Sequence, residues 1–133
     1  NEIIEDRPDV HRGWLEAELD AQVFLADLGN ANAVAKMADE QTEGMDRKIL
    51  WASLYHDEQG RNKLTLDFIF NDKVKTMLKA SADFLAGKKK FGARKELRKE
   101  SVWDDVARQV LKDRGLSSPL GKIDGVPMSQ YKN

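Results

Sequence analysis

A chain of 133 residues with 41% hydrophobic and 34% charged side chains can bury a core as one ordered domain, which excludes a disordered tail. It contains no cysteine, so disulfides and thiolate metal sites are excluded, and no apolar run approaches the roughly 20 residues needed to span a bilayer. The net charge of −1 hides a split: residues 1–72 carry 7 Lys+Arg against 16 Asp+Glu (−9), and residues 73–133 carry 15 against 7 (+8).

Residues 1–8 read as a polar arm ending in Pro8, which suits the first turn of a helix. NEIIEDRPD lacks the charged-then-apolar pattern of an export signal, so a cytoplasmic location and no membrane partner are expected. Val10–Leu28 follows as a helix with two apolar faces. Trp14, Ala17, Ala21, Phe24, Leu25 and Leu28 form one face, and Leu15, Leu19, Val23 and Ala26 form the other. A helix on a single surface needs only one stripe, so two stripes imply neighbours on two sides, as in a bundle. Gly29-Asn30 is the expected stop.

A second helix is expected from Ala31 to His56, kinked or split at Gly44, and Asp57–Asn62 reads as a turn. Leu64, Leu66, Phe68 and Phe70 alternate with Thr65, Asp67, Ile69 and Asn71 as a half-buried strand would, with 49–56 as the partner strand of a hairpin. The same stretch also fits one continuous helix through Leu66, Phe70, Val74, Met77, Ser81 and Phe84 to Gly87, and the helix is the preferred reading. Ser101 and Asp104 resemble a capping box for a helix presenting Trp103, Val106, Ala107, Val110 and Leu111 and stopping at Gly115. Trp14, Trp51 and Trp103, one per helix, are expected as core anchors. The fold expected is mainly α, a compact bundle of about four helices over residues 1–115 with an extended tail over 116–133; the alternative is α+β with one central β-hairpin near 49–70.

Residues 73–99 hold 10 basic residues against 2 acidic ones. Lys88, Lys89, Lys90, Phe91, Arg94, Lys95, Arg98 and Lys99 are the candidate polyanion-binding residues, the cations following a phosphate backbone and Phe91 stacking on an unpaired base. A solvated lysine-rich helix face has the same composition. Glu16/Asp20 and Asp39/Glu43 share helix faces as Mg²⁺-holding carboxylates of a helical pyrophosphohydrolase would, yet no set of four converges, and no metal, cofactor or catalytic residue is expected. No nucleophile elbow or P-loop occurs.

The segment His11-Arg12-Gly13-Trp14-Leu15-Glu16 and the helix it opens resemble the first helix of some helical corrinoid adenosyltransferases. Arg94-Lys95-Glu96-Leu97-Arg98 is a looser likeness of that family's nucleotide-contact segment, and the resemblance covers under a fifth of the chain. It implies a small helical enzyme on a phosphate-bearing ligand. The reading preferred from the residues is a non-enzymatic accessory or assembly protein working through macromolecular contact, with nucleic acid or an acidic protein surface as partner of the 73–99 region. A self-associating homo-oligomer whose two halves neutralise each other is the third alternative.

Overall fold

The computed structural model describes residues 2–88 and 98–132. Among them, six α-helices and one two-stranded sheet are formed: α1 (Glu2–Asp6), α2 (Pro8–Ala26), α3 (Ala31–Gln41), α4 (Arg47–Tyr55), β1 (Asn62–Leu66), α5 (Asp72–Gly87), α6 (Asp105–Asp113) and β2 (Gly121–Asp124). The protein is mainly α, and no described helix is long and apolar enough to cross a membrane.

Local chemistry sets most of these boundaries. Pro8 occupies the first turn of α2, where a missing N–H costs nothing. Between α3 and α4 the chain breaks at Gly44, whose φ of 79° is one that L side chains rarely adopt. Asp46 then caps α4 by accepting from the Lys48 N–H at 2.7 Å. The 31–56 stretch is therefore two helices.

The main core lies where α3 and α4 meet the sheet. Ala31 and Ala35 are fully buried, and their small side chains let Trp51 and Tyr55 of α4 approach closely. Leu66 of β1 and Ile123 of β2 close this cluster. A second cluster joins Leu19 of α2 to Val110 and Leu111 of α6, with Leu120 packed against both. Arg12–Asp113 at 2.7 Å and Arg114–Asp20 at 3.3 Å also tie α2 to the end of α6.

The preferred helix over 66–87 does not form as one piece. Residues 62–66 are a strand and the helix begins only at Asp72. The intervening backbone finds partners elsewhere: Leu66 C=O accepts from Leu120 N–H at 2.9 Å, and Phe68 N–H donates to the Ser118 hydroxyl at 3.2 Å. Phe70 N–H donates to the Asp104 carboxylate at 2.9 Å. With those groups satisfied, no helical turn is required there. Asn71 accepts from Val74 N–H at 2.9 Å and starts α5.

A strand in this region agrees with the α+β alternative, but its partner does not come from 49–56, which lies within helix α4 and its C-cap. β1 pairs antiparallel with β2, Leu64 opposite Ile123 and Leu66 opposite Gly121, with an irregularity between Asn62 and Leu64. Residues 116–133, expected as an extended tail, thus supply a strand and a fully buried side chain to the core of their own chain. The capping box at Ser101 does not form either. Ser101 lies in a short 3₁₀ turn, and Asp104 spends its carboxylate on Phe70 and Arg108. Of the three tryptophans only Trp51 is a core anchor; Trp14 is 60% exposed and Trp103 41%.

Gly125 sits where two backbones nearly touch. A Cβ added there would lie 2.2 Å from Asp57 Cβ and 3.0 Å from both Asp57 Cα and N. Asp57 cannot retreat freely, because its N–H donates to Val126 C=O at 3.1 Å and its carboxylate pairs with Arg61 at 2.7 Å. The Arg61 hydrogen bond holds that carboxyl at about 2, against partial desolvation. Gly125→Ala is therefore expected to destabilise by about 1–3 kcal/mol, in the range of overpacked sites. Urea unfolding followed by circular dichroism checks this; an unchanged midpoint would contradict the close approach.

Candidate functional site

Of the residues expected to bind polyanions, Lys88, Arg98 and Lys99 are exposed, while Lys89, Lys90, Phe91, Arg94 and Lys95 lie outside the described residues. Lys88 is the C-cap of α5, and its ammonium sits 5.6 Å from the centre of the Phe84 ring. Arg98 and Lys99 lead into the 3₁₀ turn ahead of α6.

Helix α5 itself carries the most unusual surface. It spans 16 residues without burying one of them. Met77 and Phe84 are each 62% exposed and Leu85 is exposed beside them. On a helical wheel Lys73, Met77, Ser81, Phe84 and Lys88 fall in one row, an apolar centre with a lysine at each end. Helices normally gain most of their stability from packing such a face, and here it is left uncovered.

A second uncovered face belongs to α2. Its Leu15 and Leu19 stripe meets α6, whereas Trp14, Ala17, Ala21 and Phe24 remain exposed. The sequence showed both stripes without indicating which one would be covered. Beside Phe24, an open apolar groove of about 520 Å³ runs between α2 and α3, lined by Ala21, Phe24, Leu25, Val34 and Met37, with Glu18 as its charged member.

A smaller cavity of about 230 Å³ lies on the other side of Gln22, between the α2 face that packs on α6 and the loop leading into α5. His11 stacks on Trp103 at its wall, with ring centroids 5.9 Å apart and planes inclined by 21°. Asp104 lines it too, but its carboxylate is already committed to Arg108 at 2.8 Å and to Phe70 N–H. Burial would raise the Asp104 carboxyl; the Arg108 and Phe70 hydrogen bonds outweigh it, helped by the charges of Arg108 and Lys75, and hold it below the usual carboxylate range. A carboxylate so held stays ionised and is a poor general acid.

Three of the four carboxylates singled out in the sequence are drawn to cations within the fold. Glu16 pairs with Arg12, Asp20 with Arg114 and Asp39 with Arg47. Among the described residues no three of His, Asp and Glu converge as metal ligands would. The charge split is also left largely unresolved among the described residues. Among the described residues the ion pair joining an N-terminal-half carboxylate to a C-terminal-half cation is Asp20–Arg114; the other pairs stay within one half, apart from Arg12–Asp113, which runs the opposite way. No family model, curated protein or solved structure matches this chain.

Proposed function

We propose that this is a non-enzymatic accessory or assembly protein that works through protein–protein contact, with α5 as its principal contact element. The observation that carries the reading is the uncovered apolar row of α5, Met77 and Phe84, bracketed by Lys73 and Lys88. Apolar side chains at the centre with charges at the edge are the anatomy of a protein interface, where the buried centre supplies affinity and the rim supplies orientation. A phosphate backbone would use the lysines and leave Met77 and Phe84 in water. The commitment of Asp104 to Arg108 and Phe70 in the small cavity also favours a binding role over catalysis.

A photo-cross-linking amino acid placed at the exposed Ala80, one turn from Phe84, tests the reading in extract from the native cell. Adducts with polypeptide that disappear when Met77 and Phe84 are both changed to Ser are the expected result. Absence of any polypeptide adduct would overturn it.

The exposed lysines of α5, Lys73 and Lys79, with Lys88, Arg98 and Lys99 support a second reading, contact with nucleic acid. Fluorescence anisotropy of labelled oligonucleotides at 50 and 300 mM salt distinguishes it, because phosphate contacts release counterions and binding then falls steeply with salt. Salt-steep binding unaffected by the two serine changes would favour this second reading over the first.

A further inference from the structure

The two uncovered surfaces match each other. α5 offers a short apolar row, Met77 to Phe84, about 10 Å long with Lys73 and Lys88 beyond its ends, and the exposed stripe of α2 from Trp14 to Phe24 runs about 15 Å, long enough to receive it. The groove beside that stripe is apolar, has room for large side chains, and carries the exposed carboxylate of Glu18 in its wall. One surface is therefore apolar with cationic edges, and the other is apolar with a carboxylate, Glu18, in its wall. Within one chain they do not meet: Met77 and Phe84 stay exposed and the groove stays open. The carboxylate excess of residues 1–72 and the cation excess of residues 73–133 are also left mostly unpaired among the described residues.

We infer that α5 of one molecule docks in the α2–α3 groove of a second copy of this chain. The inference rests on the protein-contact reading above and names its partner. Met77 and Phe84 enter the groove beside Phe24 and Met37, and Lys73 and Lys88 face carboxylates of the acidic half. Because the two surfaces differ, a pair that closes about a two-fold axis makes this contact twice, each copy giving one α5 and receiving the other. The lysine edges orient the approach and discriminate against α5 meeting another α5, since that would oppose like charges.

Two variants in the full chain test the inference by sedimentation equilibrium: Met77→Ser/Phe84→Ser removes the α5 row, and Phe24→Ser/Met37→Ser removes the groove wall. All four side chains are exposed, so both variants are expected to melt like the wild type. At 50 mM salt the wild type is expected to approach twice 15.1 kDa as concentration rises, and each variant alone to stay at 15.1 kDa. An equimolar mixture of the variants is expected to associate again, more than tenfold more weakly than wild type, because one intact α5 still finds one intact groove. Raising salt to 300 mM should weaken the wild-type association several-fold.

A wild type that remains at 15.1 kDa up to the highest concentrations overturns the inference, and so does a mixture that stays monomeric while the wild type associates. In either case adducts to other polypeptides from position 80 would leave the protein-contact reading standing, whereas their absence would remove both.

Discussion

Trp51→Ala is expected to lower the unfolding free energy by about 3–5 kcal/mol, a large part of the 5–15 kcal/mol typical of a domain. Trp51 is 1% exposed and forms the centre of the α3–α4–sheet cluster. Its ring meets Tyr131 edge-on at 5.7 Å and Tyr55 at 6.1 Å, so truncation leaves a cavity bounded by two aromatic rings and the backbones of Ala31 and Ala35. Neither alanine can extend to fill it. The indole N–H is buried without a hydrogen-bond partner among the described residues, at a cost of about 1–3 kcal/mol for such a group. Trp51→Phe removes that N–H along with part of the volume, and should therefore cost clearly less than the alanine change. Thermal and urea unfolding of the two variants checks both statements. A phenylalanine variant as unstable as the alanine one would mean that the N–H is paired after all.

The second large effect concerns the segment expected as a tail. Ile123→Ala is expected to destabilise by about 2–5 kcal/mol, because the side chain is fully buried in the same cluster as Trp51 and lies on the strand that pairs with β1. Lys122, its exposed neighbour, points to the other face of the strand, and Lys122→Ala should change stability by no more than about 0.5 kcal/mol. Equal effects at the two positions would show that β2 is not seated. Denaturant midpoints with unchanged slopes provide the reading.

How far the sequence could be read depended on whether the deciding interaction was local. Helices α2 and α3, the break at Gly44 and the stop at Gly115 follow from periodicity and from residues that tolerate positive φ, and all are visible over a few positions. The boundary at Asn71 had a local signal as well, an Asx residue three before Val74, but the apolar spacing of 66–84 overshadowed it. Pairing of Leu64 with Ile123 had no such signal, because the alternation in 62–70 says that a strand can form and nothing about where its partner lies. The tryptophans illustrate the same difference. All three occupy apolar stripes, yet only Trp51 meets a neighbour made of small residues that lets it be covered. Much of the basic stretch was legible as composition, and its most informative part, the row from Lys73 to Lys88, lay just ahead of the lysine run that drew attention to it.

The pairing of β1 with β2 also bears on how this protein comes off the ribosome. Leu66 must wait for Gly121, about 55 residues later, and synthesis at roughly 5–20 residues per second makes that a delay of about 3–11 s. Throughout this interval α3 and α4 can already have folded as a local helical hairpin, while the Trp51–Tyr55 face and the edge of β1 have nothing to cover them. Nascent chains on neighbouring ribosomes would meet through those edges. The delay makes this stretch a natural landing place for a chaperone that holds extended apolar segments, and a point at which slowed translation would lower the yield of folded protein.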